Sequence, residues 1–119
     1  GWANSDVTSE HFPVNRRGTA EVEIVLVHFN RYIESEEALR ELEKIGLHPA
    51  ELPELLAFGA AYPEKQREFP IVALGSGWRG PSGRLGAPGL WGDSDGRDLS
   101  LGWFGGRWND NYRFVAVRK

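Results

Sequence analysis

The sequence predicts a single α+β domain in which a strand and two helices precede a short-stranded, loop-rich antiparallel sheet. Three features carry that expectation. An apolar run that begins as alternation lies at residues 20–29, and two apolar stripes of helical spacing follow before residue 62. Residues 75–110 then hold eleven of the fifteen glycines and four of the five tryptophans, with no helical period. A chain of 119 residues, 40% apolar, is long enough for one domain with a real core.

Residues 1–18 read as an extended arm. Asn4, Ser5, Asp6 and Ser9 favour turns, His11-Phe12-Pro13 disfavours helix, and Arg16-Arg17-Gly18 is a loop, while Trp2 and Phe12 supply apolar anchors. The domain proper is expected over residues 19–119. Glu21 and Glu23 alternate with Val22 and Ile24 before Val25, Leu26 and Val27 run together, the pattern of a strand entering a buried sheet. Ser35 suits an N-cap, Glu36 and Glu37 the first turn, and Gly46 the stop of a helix whose stripe is Ala38, Leu39, Leu42 and Ile45. A second stripe at Leu52, Leu55, Leu56, Gly59 and Ala60 tolerates Pro53 at the helix start and ends before Pro63. Residues 64–68 read as a charged connector and residues 71–74 as a short apolar strand. Further short strands are expected around Leu90-Trp91 and residues 99–104, and a final one over residues 114–117.

Composition removes several function classes. Without cysteine there is no disulfide framework, thiolate nucleophile or thiolate metal site. No apolar run reaches the roughly 20 residues of a membrane-spanning helix, and the start lacks the pattern of an export signal. A start at Gly1-Trp2, with no methionine anywhere, is the expectation for a processed or trimmed chain. Residues 1–70 hold 7 Lys/Arg against 13 Asp/Glu and residues 71–119 hold 7 against 4, so the halves carry −6 and +3. The basic half has no Lys/Arg cluster, so no nucleic-acid partner is expected.

Several motifs resolve to ordinary readings. Gly75-Ser76-Gly77-Trp78-Arg79-Gly80 matches the dinucleotide fingerprint, but Pro81, Gly83, Gly86, Pro88 and Gly89 forbid the helix whose N-terminus must meet the pyrophosphate. Asp93-Ser94-Asp95-Gly96-Arg97-Asp98 places three carboxylates around a glycine turn. It lacks the distal bidentate glutamate of a calcium loop and sets Arg97 among the ligands, so a solvated turn is expected. His11, His28 and His48 have no spacing that would aim two of them at one metal, and His28 reads as a hydrogen-bonded core or edge residue. Ser76 has no nucleophile-elbow frame. Glu36, Glu37, Glu41 and Glu43 read as a solvated helix face, paired with Arg40 and Lys44. No catalytic residue, metal or cofactor is therefore expected.

Trp78, Trp91, Trp103 and Trp108 remain, with Arg79, Arg84, Arg97 and Arg107 between them. Tryptophan fills cores, yet irregular segments dense in Trp, Tyr, Arg, Asn, Ser and Gly also compose adaptable binding surfaces.

The order of elements and the terminal sequence resemble the C-type lectin fold, over about residues 20–118. Leu47-His48-Pro49-Ala50-Glu51-Leu52-Pro53-Glu54-Leu55-Leu56 is similar to the helix opening of formylglycine-generating-enzyme-type members. Ala73-Leu74-Gly75-Ser76-Gly77-Trp78 resembles their Gly-Gly-Ser-Trp strand, and Tyr112-Arg113-Phe114-Val115-Ala116-Val117-Arg118 their terminal Gly-Phe-Arg strand. The same branch holds the variable proteins of diversity-generating retroelements, which display changeable polar and aromatic residues on a fixed scaffold. The chain also resembles uncharacterised small bacterial proteins that share Phe-Pro-Ile-Val-Ala-Leu-Gly-Ser, here residues 69–76. Trp108-Asn109-Asp110 matches the triplet of sugar-binding lectins, in which the Asn and Asp hold calcium. Their upstream Glu-Pro-Asn or Gln-Pro-Asp partner is absent, and the enzymes' catalytic cysteines are missing, so neither calcium binding nor that oxidation is carried over.

The resemblance implies a non-enzymatic recognition module for a protein or glycan ligand. Its expected surface is Arg79, Trp91, Asp93, Ser94, Asp95, Arg97, Trp103, Arg107, Trp108, Asn109, Asp110, Asn111 and Tyr112. The other reading is a structural or assembly domain that docks a partner through its N-terminal arm, and the oligomeric state stays open.

Overall fold

The computed structural model describes residues 2–4, 6–7, 23–93 and 96–118. Within them the chain forms β1 (Trp2–Ala3), β2 (Ile24–Val27), β3 (Ile33–Glu34), α1 (Ser35–Lys44), β4 (Leu47–Pro49), α2 (Leu52–Ala61) and α3 (Lys65–Glu68). It continues through β5 (Ile71–Val72), β6 (Trp78–Arg79), β7 (Leu85–Asp93), β8 (Gly96–Trp103), β9 (Arg107–Trp108) and β10 (Arg113–Arg118). The α+β class and single-domain organisation agree with the sequence. The Cα radius of gyration is 13.3 Å, close to the ~13.5 Å expected of one compact domain of this length. Among the described residues no helix is long and apolar enough to cross a membrane.

The sheet is mixed rather than antiparallel. Its strand order is β1-β8-β7-β5-β10-β2, with β4 also on β10 and β6 on β7, while β3 and β9 form a separate pair. The pairings β10–β5 and β1–β8 are parallel, the others antiparallel. Parallel β5 and β10 are joined by the long connection through β6, the β7–β8 hairpin and β9, which returns the chain in the same direction. One edge of β10 meets β2, and the other meets β5 at Arg113 and Phe114 and then β4 at residues 116–118. Phe114, Val115, Ala116 and Val117 are accordingly all buried.

Strand alternation divides the core between the sheet's two faces. Ile71, Ala73, Leu90 and Val115 pack with Leu52, Leu55 and Phe58 of α2. Val72, Leu74, Ala87 and Phe114 face the other way, toward Ile33, Ala38 of α1 and Trp108.

Helix α1 stops where expected, at Gly46 with φ +77°, but its N-cap is Glu34. Ser35 lies inside the first turn, where a tertiary partner takes its hydroxyl. Ala38 and Leu42 are buried as predicted, whereas Ile45 falls off the stripe as the C-cap and is 57% exposed. Helix α2 begins with a capping box in which Glu51 N–H donates to Glu54 Oε1 at 2.7 Å, with Pro53 in the first turn. Leu52, Leu55 and Gly59 are buried, but Leu56 and Ala60 are exposed, and Phe58 takes the core position instead.

Other differences have local causes. The expected charged connector contains the short helix α3, because buried Gln66 donates through Nε2 to the carbonyls of Trp91 (2.6 Å) and Asp98 (3.3 Å) and ties this segment to the β7–β8 hairpin. The first core strand spans Ile24–Val27 and is half-buried, because among the described residues β2 is an outer strand bonded by β10 alone; residues 20–22 lie outside the described residues. Of the arm, only residues 2–4 and 6–7 are described. Where isolated short strands were expected, β7 and β8 pair continuously from Gly86↔Trp103 to Asp93↔Gly96.

Glycines permit that hairpin by leaving room for rings. A Cβ on Gly102 would stand 2.6 Å from Trp108 Cη2, and one on Gly89 would stand 2.5 Å from Trp91 Cζ3. Gly80 faces the Trp78 ring, and Gly105 and Gly106 face the Trp103 ring. At these positions the glycines that crowd with tryptophan in the sequence leave the space that the rings occupy.

Candidate functional site

Register places two tryptophans either side of a glycine. On three adjacent strands Trp78 of β6 faces Gly86 of β7, which faces Trp103 of β8. Directly paired residues project from the same sheet face, so both tryptophans start from that face, with Leu101 packed over Gly86, the Trp78 ring turned onto Gly80 and the Trp103 ring onto Gly105 and Gly106. Two strand spacings separate their backbones by about 10 Å. Along β8, Leu99 and Leu101 on this face are partly buried and packed on the α2-side core, whereas Trp103 is 54% exposed.

The result is a cleft of about 250 Å³, with Gly86 and Leu101 at its floor and the two tryptophans, Arg84 and Asp6 among its lining. The turn between β6 and β7 forms one wall. Gly83 N–H donates to Gly80 O at 2.9 Å, Gly80 N–H donates to Arg84 O at 3.1 Å, and the Arg79 guanidinium donates to Gly83 O. Gly83 has φ +84°, a conformation glycine adopts without strain. This wall carries Arg84, whose guanidinium carbon lies 4.1 Å from the Trp103 ring centroid. Arg84 is exposed and makes no ion pair among the described residues.

The predicted recognition residues divide into three groups. Trp103 lines the cleft and Arg79 braces its wall. Trp91, Trp108 and Tyr112 belong instead to an aromatic chain running into the core. Ring centroids are 6.4 Å apart for Trp91–Tyr112, 5.1 Å for Tyr112–Trp108 and 6.2 Å for Trp108–Phe114. Trp108 is 4% exposed, so an exposed ligand contact there is not what the fold provides. Its indole N–H donates to Ser35 Oγ at 2.8 Å.

The third group comprises the remaining residues. Asn109 Oδ1 accepts the Asn111 N–H at 2.8 Å, closing a local turn. Asn109, Asp110 and Asn111 are exposed, and His28 Nε2 lies 2.6 Å from the Asp110 carbonyl oxygen, so its Nε2–H tautomer donates there. His28 is thus exposed and hydrogen-bonded at the periphery. Arg107 is exposed, with its guanidinium carbon 5.7 Å from the Tyr32 ring centroid. Asp93 ends β7, Ser94 and Asp95 lie outside the described residues, and Arg97 is half-buried, its Nε without a hydrogen-bond partner among the described residues. Among the described residues no group of three or more His, Asp or Glu gathers as a metal would require.

The surface expected from sequence omits Arg84, Leu101 and Trp78, all of which line the cleft. Their signal was alternation: Leu99, Leu101 and Trp103 share a strand face, but nothing local specifies that Trp78 stands across a glycine from Trp103. Comparison with known proteins yields no match, whether to protein-family models, to curated proteins or to solved structures.

Proposed function

We propose that this chain is a non-enzymatic recognition module of C-type-lectin-like fold that binds a protein or glycan ligand. The half-exposed Trp103 at the cleft carries the reading, since an indole exposed beside a cavity offers a large contact area at little conformational cost. The lectin-like assignment is supported by antiparallel pairing of the early strand β2 with the final strand β10, with α1 and α2 following β2 and preceding β5. Within this reading, the exposed Asn109, Asp110, Asn111 and Arg107 extend the surface beyond the cleft, and Trp108 and Tyr112 support it from below.

A glycan array and a protein-binding screen, each run with the native chain and with Trp103→Ala, test the proposal. Loss of a bound ligand at unchanged melting temperature supports it. A ligand that binds both forms equally puts the site elsewhere. Diversification would register as near-identical copies within one genome whose substitutions fall at residue 79, residues 93–97 and residues 107–112.

The assembly reading has one observation of its own: β1 lies parallel on the outer edge of β8, with Asn4 N–H donating to Leu99 O at 2.7 Å. An arm that docks by strand pairing on its own domain has the chemistry to exchange onto a neighbour.

A further inference from the structure

We propose that β2 is an interface strand, pairing antiparallel with β2 of a second copy of this chain so that two sheets join into one across a twofold axis. The inference goes beyond the cleft, which lies toward the other end of the sheet beside β6, β7 and β8.

The two edges of the sheet are treated differently. At one edge β8 is covered by β1, with Asn4 N–H donating to Leu99 O at 2.7 Å. At the other edge, among the described residues, β2 is paired on one side only. Its residues Ile24, Val25, Leu26 and Val27 are all half-buried aliphatics, and their register to β10 runs without interruption. The strand thus has no lysine, proline or bulge of the kind that keeps an open edge from pairing with another chain.

Hydrogen-bond direction decides which groups are on offer. Arg118 N–H donates to Glu23 O at 3.0 Å, whereas Val115 O on the far side of β10 accepts from Ala50 N–H at 2.9 Å. Alternate residues of a strand direct their N–H and C=O to opposite edges, so Phe114, Ala116 and Arg118 address β2, and Glu23, Val25 and Val27 address β10. The N–H and C=O of Ile24 and Leu26 therefore point outward.

Side-chain direction fits a second copy of the same strand. Ile24 and Leu26 pack toward the α2-side core, while Val25 and Val27 pack toward the cluster of Leu42, Leu47 and Ala116. A twofold axis perpendicular to the sheet keeps each face on its own side. Centred on Leu26, it lets Leu26 exchange both bonds with Leu26 of the second copy and sets Val25 beside Val27; centred on Val25, it lets Ile24 exchange bonds with Leu26. A slip of one residue from either register sets an outward-bonding residue opposite an inward one and puts the faces out of line. The strand is donor, acceptor and apolar neighbour to itself, as an isologous interface requires.

Sedimentation equilibrium of the full chain over about 10 μM to 1 mM, the range of small interfaces, should show a monomer–dimer equilibrium. Ile24→Pro removes one outward N–H and no bond to β10, at the first residue of an edge strand, where proline is tolerated. It should raise the dissociation constant about tenfold or more with the circular dichroism spectrum unchanged. Because the chain has no cysteine, single-cysteine variants locate the contact and decide the matter should Ile24→Pro unfold. Oxidation of Leu26→Cys or of Val25→Cys, according to register, should give a covalent dimer, since opposed Cα atoms stand about 4.5–5.5 Å apart. Tyr62→Cys, exposed at the end of α2, should not. A chain that stays monomeric throughout overturns the proposal, and protection of the Ile24 and Leu26 amides from hydrogen exchange in that monomer would give the edge to a segment of the same chain. A dimer that Ile24→Pro leaves unchanged, or that cross-links through Tyr62→Cys and through neither β2 variant, also overturns it and puts the interface elsewhere.

Discussion

The Trp108 indole N–H donates to Ser35 Oγ at 2.8 Å, and that hydroxyl donates in turn to the Phe104 carbonyl at 2.7 Å. One buried serine therefore joins the first turn of α1, the β8–β9 connection and the largest ring of the core. The β3–β9 pairing runs beside it, with Ile33 opposite Trp108. Satisfying both groups matters because a buried donor left without a partner costs far more than a hydrogen bond gains.

Ser35→Ala should accordingly lower stability by about 1–3 kcal/mol, because it strands the Trp108 N–H and the Phe104 carbonyl together. Chemical denaturation measures it. A loss under half a kcal/mol would mean that water replaces the hydroxyl at both positions.

Trp103→Ala and Trp108→Ala should separate cleanly. Removing the buried Trp108 should cost about 3–5 kcal/mol, whereas the 54% exposed Trp103 should cost less than about 1 kcal/mol. Melting curves of the two variants decide the matter, and similar losses would place Trp103 in the core.

Gly102→Ala should destabilise by about 1–3 kcal/mol, since its Cβ would stand 2.6 Å and 2.7 Å from atoms of the Trp108 ring. Pairing it with Trp108→Phe, which vacates that space, should recover part of the loss. A double-mutant cycle with zero coupling would contradict the socket arrangement.

Deleting residues 1–14 should uncover the β8 edge that β1 and Asn4 now occupy. Unpaired edges invite pairing between chains, so light scattering should report concentration-dependent association of the shortened chain. An oligomer of the full chain that dissociates on deletion would favour the assembly reading instead.

Local chemistry determined much of this protein. The stop at Gly46, the first-turn proline and opening of α2, and the final strand over residues 114–117 each depend on neighbours within a few residues, and each lies where the pattern puts it. The crowding of glycine with tryptophan was equally visible, but its meaning was not. Composition cannot say that Gly102 houses Trp108 or that Gly86 separates Trp78 from Trp103, because those partnerships span strands whose register arises only when the whole sheet forms. Tertiary structure alone therefore sorted the tryptophans. It buried Trp108 against Ser35, set Trp91 edge-on to Tyr112, and left Trp103 open beside the cleft under the Arg84 guanidinium.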